Sequence, residues 1–246
     1  MNLILLEAEE VGADGIVALG RGDARARHVE TVLRARVGQT VRVGVVGGRT
    51  GTAEVLETGE GGLRLACRWT GDAPERSRLD IALAMPRPKV MNRLWPVLAQ
   101  MGVGQIWVVQ ARKTEKAYLG THVLEPERVR AGLVEGLAQA RDTRLPEVRV
   151  LGSVEEMLAA SRAGGYAARL FAHPGENAGD WRGALGGIPS DGRILLAVGP
   201  EGGWTPREAE RCLGEGFIPM SLGPRILRTD VAVVALLAVA GACWAE

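Results

Sequence analysis

Two short loops hold the residue types from which chemistry is built. One carboxylate, Glu201, stands among glycines in Gly199-Pro200-Glu201-Gly202-Gly203, and two guanidinium groups stand in Pro224-Arg225-Ile226-Leu227-Arg228. Glycines let backbone amides approach a bound group closely. A carboxylate accepts a proton or faces a cation, and arginines stabilise an anion as it forms. Each loop also has a plainer reading. GPEGG fits a tight turn with an exposed acid, and the second loop fits a cover in which Ile226 and Leu227 lie on the core while the arginines face solvent. Two glycine-proline loops, one strand apart and both charged, are less easily dismissed as coincidence.

The elements that must position them follow from the pattern around them. "RILLAV" ahead of the first loop is a buried strand. Thr205, Pro206 and Glu208 after it are an N-cap, a first helical residue and a capping-box acid. The second loop follows "FIPMSLG", and Thr229 can cap the apolar helix after it. From about residue 79 onward the runs "IALAM", "IWVVQ", "VRVL", "ARLFAH", "RILLAVG" and "FIPMSLG" alternate with candidate helices near 89–101, 125–140, 153–163, 206–215 and 229–245. This alternation predicts a parallel sheet covered on both sides, with ligands beyond the carboxyl ends of its strands. Residues 40–69 read differently, as short strands between glycine turns. Leu63, Leu65, Cys67 and Trp69 share one face at period two, the texture of a small barrel. Before it, residues 24–38 predict a helix with Val29, Val32 and Leu33 on its core stripe and Gly38 beyond its end. The boundary between the two styles of chain is placed at residue 72/73.

Composition bounds the rest. The chain has 246 residues, 46% hydrophobic and 24% charged, with a net charge of +1, so any surface for nucleic acid must be a local cluster. Cys67, Cys212 and Cys243 lack paired spacing and read as core residues of a protein in a reducing cytoplasm. No metal site, P-loop, dinucleotide fingerprint or nucleophile elbow is present in the sequence. The apolar run 231–244 is short for a bilayer span and predicts a buried helix in a soluble protein without a membrane partner.

"LLAVGPEGGWTPREAE" together with "SLGPRILRTDVAVVALL" resembles the bacterial 16S ribosomal RNA uridine-N3 methyltransferases, the RsmE group of the SPOUT superfamily. "ARHVETVLRARVGQTVRV", "LAQMGVGQIWVV" and "AQARDTRLPEV" extend the likeness over nearly the whole chain. The family's usual Thr-Glu-Thr-Ala reads Thr229-Asp230-Val231-Ala232 here, Pro96 interrupts a helix, and "ARKTEKAYLG" replaces a Ser-Glu-Arg version.

The resemblance implies an α/β protein. Residues 1–72 would be a PUA-like RNA-binding β-barrel domain, and residues 73–246 a parallel-sheet SPOUT domain closed by a C-terminal deep trefoil knot. It implies S-adenosylmethionine as cofactor, a homodimer, and 16S rRNA of the small ribosomal subunit as partner. The reaction would be methylation at N3 of a uridine in the decoding region of the assembled 30S particle. Other SPOUT targets, another base or a ribose hydroxyl, and a non-catalytic RNA-binding role are the alternatives. Cofactor contacts fall on His173, Gly199, Glu201, Gly202, Gly203, Leu222, Gly223, Pro224, Ile226 and Leu227. Arg228 would stabilise the uracil anion, and Glu201 would serve as a base, face the sulfonium or fix the loop. RNA contacts fall on Arg21, Arg25, Arg27, His28, Arg34, Arg36, Arg112 and Arg225.

Overall fold

A computed structural model describes residues 2–174, 179–189 and 191–244; residue 245, the end of the last expected helix, lies outside them. The chain forms two compact units, Met1–Arg76 with Leu133–Leu145, and Ser77–Gly132 with Pro146–Glu246.

The first unit is built on a five-stranded mixed sheet in the order β1-β3-β4-β5-β2. Its strands are β1 (Ile4–Leu6), β2 (Ile16–Leu19), β3 (Thr40–Val45), β4 (Thr50–Glu57) and β5 (Leu63–Gly71). β1 runs parallel to β3, and the other pairings are antiparallel. Period-two patterning holds on β5, where Leu63 and Leu65 are buried, Arg64 and Arg68 are exposed, and Cys67 and Trp69 pack partly buried against the same core. Leu133–Leu145 belongs here through specific bonds. The Asn2 and Leu3 amides donate to the Ala138 carbonyl, and the buried Thr143 hydroxyl donates to the Gly48 carbonyl at 2.6 Å.

The expected helix over 24–38 is much shorter. α1 covers Ala24–His28, and a single wide π-type turn, Val29–Leu33, follows and stops at Arg34 with φ 51°. A π turn takes more residues per revolution than an α turn, so the helical stripe drifts off the core. Val29 and Ala35 are buried, whereas Val32 is 64% and Leu33 45% exposed.

Arg25 also departs from expectation. Its guanidinium bonds both Glu10 oxygens, both Asp23 oxygens and the Leu5 carbonyl, which engages all three of its nitrogens inside the unit. With its donors used, the side chain cannot also take a phosphate, and it leaves the expected RNA-binding set. Arg21, Arg27, Arg34 and Arg36 are exposed and His28 is half-buried.

The second unit holds a six-stranded, wholly parallel sheet in the order β11-β9-β10-β6-β7-β8. Its strands are β6 (Leu79–Ala84), β7 (Gln105–Val109), β8 (Glu147–Leu151), β9 (Tyr166–Ala172), β10 (Arg193–Val198) and β11 (Ile218–Met220). The sheet grows from β6 towards β8, then reverses, with β10 between β6 and β9. β6 is buried at every residue and β10 at all but its first, as strands covered on both faces must be. Its helices are α2 (Pro88–Gln100), α4 (Val154–Ala163), α5 (Trp181–Leu185), α6 (Pro206–Gly214) and α7 (Thr229–Trp244); α3 (Pro126–Ala140) begins in this unit and from Leu133 onward belongs to the first. α2 runs unbroken through Pro96, and the short α5 is an element the sequence pattern did not indicate. At the amino end of the sheet the fully buried Asp80 pairs with Arg193 and accepts from the Tyr166 hydroxyl at 2.8 Å. Among the described residues, no helix is long and apolar enough to cross a membrane.

Arg25 raises a stability test. Its cation holds the Glu10 and Asp23 carboxyls below their usual range, so the cluster contributes fully at neutral pH. That contribution shrinks as pH falls below about 4, the range of the unfolded acids, and is lost below the lowered folded values. Arg25→Met should destabilise the first unit by about 2 kcal/mol at pH 7. Denaturant titrations should show the gap from the parent narrowing below about pH 4; a gap independent of pH would refute the assignment.

Candidate ligand site at the ends of the parallel strands

The carboxyl ends of β9, β10 and β11 open onto a cavity of about 810 Å³ in the second unit. Its wall comes from His173 and Pro174 after β9, Gly199–Trp204 after β10, Ser221–Leu222 and Arg225–Arg228 after β11, the start of α7, and Arg87, Val90 and Arg93 of α2.

The glycine loop is fixed from four sides. Trp204 is buried and donates its indole N–H to the Ala172 carbonyl at 3.0 Å, tying the end of β10 to the end of β9. A Cβ on Gly199 would lie 3.1 Å from that indole, a tight contact that a larger residue would relieve only by shifting the ring. Gly203 closes the turn on the Pro200 carbonyl with φ +68°, a left-handed conformation glycine adopts freely. Lys113 donates to the Gly202 carbonyl at 2.8 Å. The expected capping box forms between Thr205 and Glu208, whose other oxygen accepts the Arg112 amide at 2.8 Å. Glu201 has a partner the sequence did not disclose: its Oε1 accepts the backbone N–H of Arg87 at 2.9 Å. Arg87 is the N-cap of α2, so the carboxylate satisfies a terminal amide and sits at the positive end of the helix dipole.

The second loop rejects its plainer reading. Ile226 is 88% exposed and Leu227 37%, so neither covers the core, and both instead line the cavity. Gly223 and Pro224 belong to the same loop but not to the lining. Trp181 of α5 donates to the Ser221 carbonyl at 2.9 Å and holds the loop's start. Arg228 contacts Asp230 at 3.2 Å, and Arg93 reaches the same oxygen, Oδ2, at 3.1 Å. His173 stacks on the buried Phe171 and donates its backbone amide to Met220.

Thus the structure brings together His173, Gly199, Glu201, Gly202, Gly203, Leu222, Ile226, Leu227, Arg225 and Arg228. Arg112 is exposed outside the lining. Sequence reading missed Arg87, Arg93, Lys113, Trp181 and Asp230. The first two were findable: residues 87, 90 and 93 recur at three-residue spacing at the start of a helix.

Chemically, the wall offers backbone polar groups and apolar side chains to a ligand with a flat apolar part. Its ionisable rim carries Arg87, Arg93, Arg225 and Arg228 against Glu201 and Asp230, an excess of positive charge suited to an anionic partner. Cys212, on the buried face of α6, is fully enclosed, and burial pushes its thiol up to about 12. Among the described residues, no three His, Cys, Asp or Glu side chains cluster to hold a metal.

Comparison with known proteins places these features in a family. The profile of the RNA methyltransferase domain family matches residues 73–241. The chain is 29% identical to ribosomal RNA small subunit methyltransferase E of Treponema pallidum (strain Nichols), over 97% of this chain and 90% of that protein. It is 28% identical to the protein of the same name in Mycobacterium bovis, over 98% and 92%. Its fold matches the crystal structure of a ribosomal RNA small subunit methyltransferase E from Neisseria gonorrhoeae bound to S-adenosyl methionine. The TM-score is 0.73 at 22% identity, over 99% of this chain and 98% of that one.

The Glu201 contact can be read directly by amide hydrogen exchange. Glu201→Ala should speed exchange at Arg87 about tenfold, and Glu201→Gln, which keeps an acceptor, should preserve protection. Equal exchange in both variants and the parent would remove Glu201 from the start of α2.

Proposed function

Because the chain belongs to the RNA methyltransferase domain family, we propose that it is an S-adenosylmethionine-dependent enzyme that methylates N3 of a uridine in 16S rRNA on the assembled 30S subunit. The observation that carries this reading is the convergence of the loops after β9, β10 and β11 on one cavity with a cationic rim. Relatives named ribosomal RNA small subunit methyltransferase E align with it over nearly its whole length.

The residues fit such a cofactor. Leu222, Ile226 and Leu227 offer apolar contact, the glycine loop offers backbone groups, and the volume admits a nucleoside with its side chain. When bound, S-adenosylmethionine supplies an electrophilic methyl group on a sulfonium. His173, Gly199, Glu201, Gly202, Gly203, Leu222, Gly223, Pro224, Ile226 and Leu227 are the residues assigned to hold it. The uracil imide keeps its proton at neutral pH, so the protein must stabilise the negative charge that develops on the ring oxygens as the proton leaves. Arg228, 79% exposed at the cavity edge, is the cation assigned to that task. Glu201, bonded to the Arg87 amide, is better suited to fix the loop than to travel as a base.

The first unit is proposed as a PUA-like RNA-binding domain. In this unit Arg21, Arg27, His28, Arg34 and Arg36 would contact the RNA backbone; in the second unit Arg112 and Arg225 are assigned to RNA contacts, and the target nucleotide would be splayed out. A deep trefoil knot is proposed for the second unit. It is supported by the strand order β11-β9-β10-β6 and by the packing of α7 against both α2 and α5. A homodimer is proposed through α7, where Val231 and Val234 stand 46% and 39% exposed and Ala238 and Ala242 continue the same apolar face. A cytoplasmic location is proposed with it, since a ribosomal substrate would be met there.

Mass spectrometry of digested 16S rRNA from a deletion strain should show N3-methyluridine lost and restored by complementation. Retention of that nucleoside, with loss of a ribose or other base methyl group, would redirect the assignment. Arg228→Ala should bind S-adenosylmethionine within about twofold of the parent and lose at least about a hundredfold in kcat, as for removal of a transition-state donor; parent-like turnover would sink the role of Arg228. Val234→Glu should convert the dimer to monomer in light scattering, because a carboxylate cannot be buried unpaired at the interface.

A further inference from the structure

One cluster at the cavity mouth is not accounted for by the loops alone. A single carboxylate oxygen, Asp230 Oδ2, accepts from Arg93 of α2 at 3.1 Å and from Arg228 at 3.2 Å. Asp230 is 21% exposed, whereas Arg93 and Arg228 are 62% and 79% exposed. A partly buried anchor thus holds two outward cations side by side. Each guanidinium has five N–H donors and commits one to Asp230, so the remaining edges can meet a partner. Two guanidinium groups sharing one carboxylate carry a net positive charge, and the shared contact reduces the side-chain freedom that binding would otherwise remove. Planar forks of this kind match the oxygens of a phosphodiester.

We propose that Asp230 is a positioning residue that presents Arg228 to the reacting base and Arg93 to a phosphodiester beside it on the RNA strand. This rests on the functional reading above. The high exposure of Arg93 favours a macromolecular anion reaching the rim over the carboxylate of an enclosed cofactor. α2 is set for the role by the bond from the Arg87 amide to Glu201, which places residues 87, 90 and 93 on the cavity.

Binding of transcribed 16S rRNA, measured across salt concentrations, tests the phosphate contact. Arg93→Gln should weaken RNA binding about tenfold and reduce the log–log salt slope by about 0.7, the value for one single-strand phosphate, while Arg93→Lys keeps the slope. Cofactor affinity, read by calorimetry with S-adenosylmethionine, should stay within about twofold. An unchanged slope in Arg93→Gln overturns the proposal. So does a loss of cofactor affinity with RNA binding intact, which would assign the cation to the cofactor's carboxylate.

The positioning role has its own readout. Asp230→Asn should lower kcat about tenfold in the parent and less than about twofold in an Arg228→Gln background; equal losses in both would show that Asp230 does not act through Arg228. The salt slope is read in binding alone. Parent protein that binds RNA and never methylates it would therefore sink the functional reading and leave the phosphate contact standing.

Discussion

The bond from the Arg87 amide to Glu201 is the contact on which the candidate site depends. It joins the loop after β10 to the N-cap of α2, two segments far apart in the chain. A carboxylate at a helix N-terminus is favoured both by the unsatisfied amides and by the helix dipole. α2 turns Met91, Leu94, Trp95 and Leu98 into the core, which leaves Val90 and Arg93 to line the cavity, and the Glu201 bond ties the start of that helix to the glycine loop. The acid among glycines therefore needs no catalytic task to account for its place. Trp204 performs the matching service on the other side, where its indole N–H secures the end of β9 and its ring packs closely over Gly199.

Arginines divide into two kinds by what surrounds them. Arg25 and Arg193 are each engaged by carboxylates within their own unit, Arg25 by Glu10 and Asp23 and Arg193 by Asp80. Such cations organise structure, since removing one would strand partly buried carboxylates. Arg228, Arg93, Arg225 and Arg87 stand on the cavity rim; even Arg93 and Arg228, which share Asp230, keep most of their surface in solvent, which screens them until a partner displaces water. Residue type alone does not separate these kinds. Arg25 and Arg27 sit two residues apart in the same short helix, yet Arg27 is exposed and Arg25 is fully bonded.

Much of the fold was legible because it rests on local rules. Each expected strand of the second unit formed, the Thr205–Glu208 capping box closed as its spacing required, and Leu63 and Leu65 of β5 turned inward at period two. Reading failed where a wider backbone turn changed the period. The π-type turn at Val29–Leu33 exposed Val32 and Leu33, which an ideal helix would have buried. It failed again at Leu133–Leu145, whose place in the first unit depends on bonds to residues about a hundred positions away, such as Thr143 to Gly48.

The sequence by itself determined the types of element, the two glycine-proline loops and the charges they bear, because propensity, capping and periodicity act within a few residues. Only the tertiary structure decided that those loops share a cavity with α2. Strand order is set by packing across the whole sheet: placing β10 between β9 and β6 brings the three loops to one end. The partners of Glu201 and Asp230, at Arg87 and Arg93, lie more than a hundred residues away in the chain. Contacts of that separation leave no local periodicity, and they gave the opening carboxylate its partner.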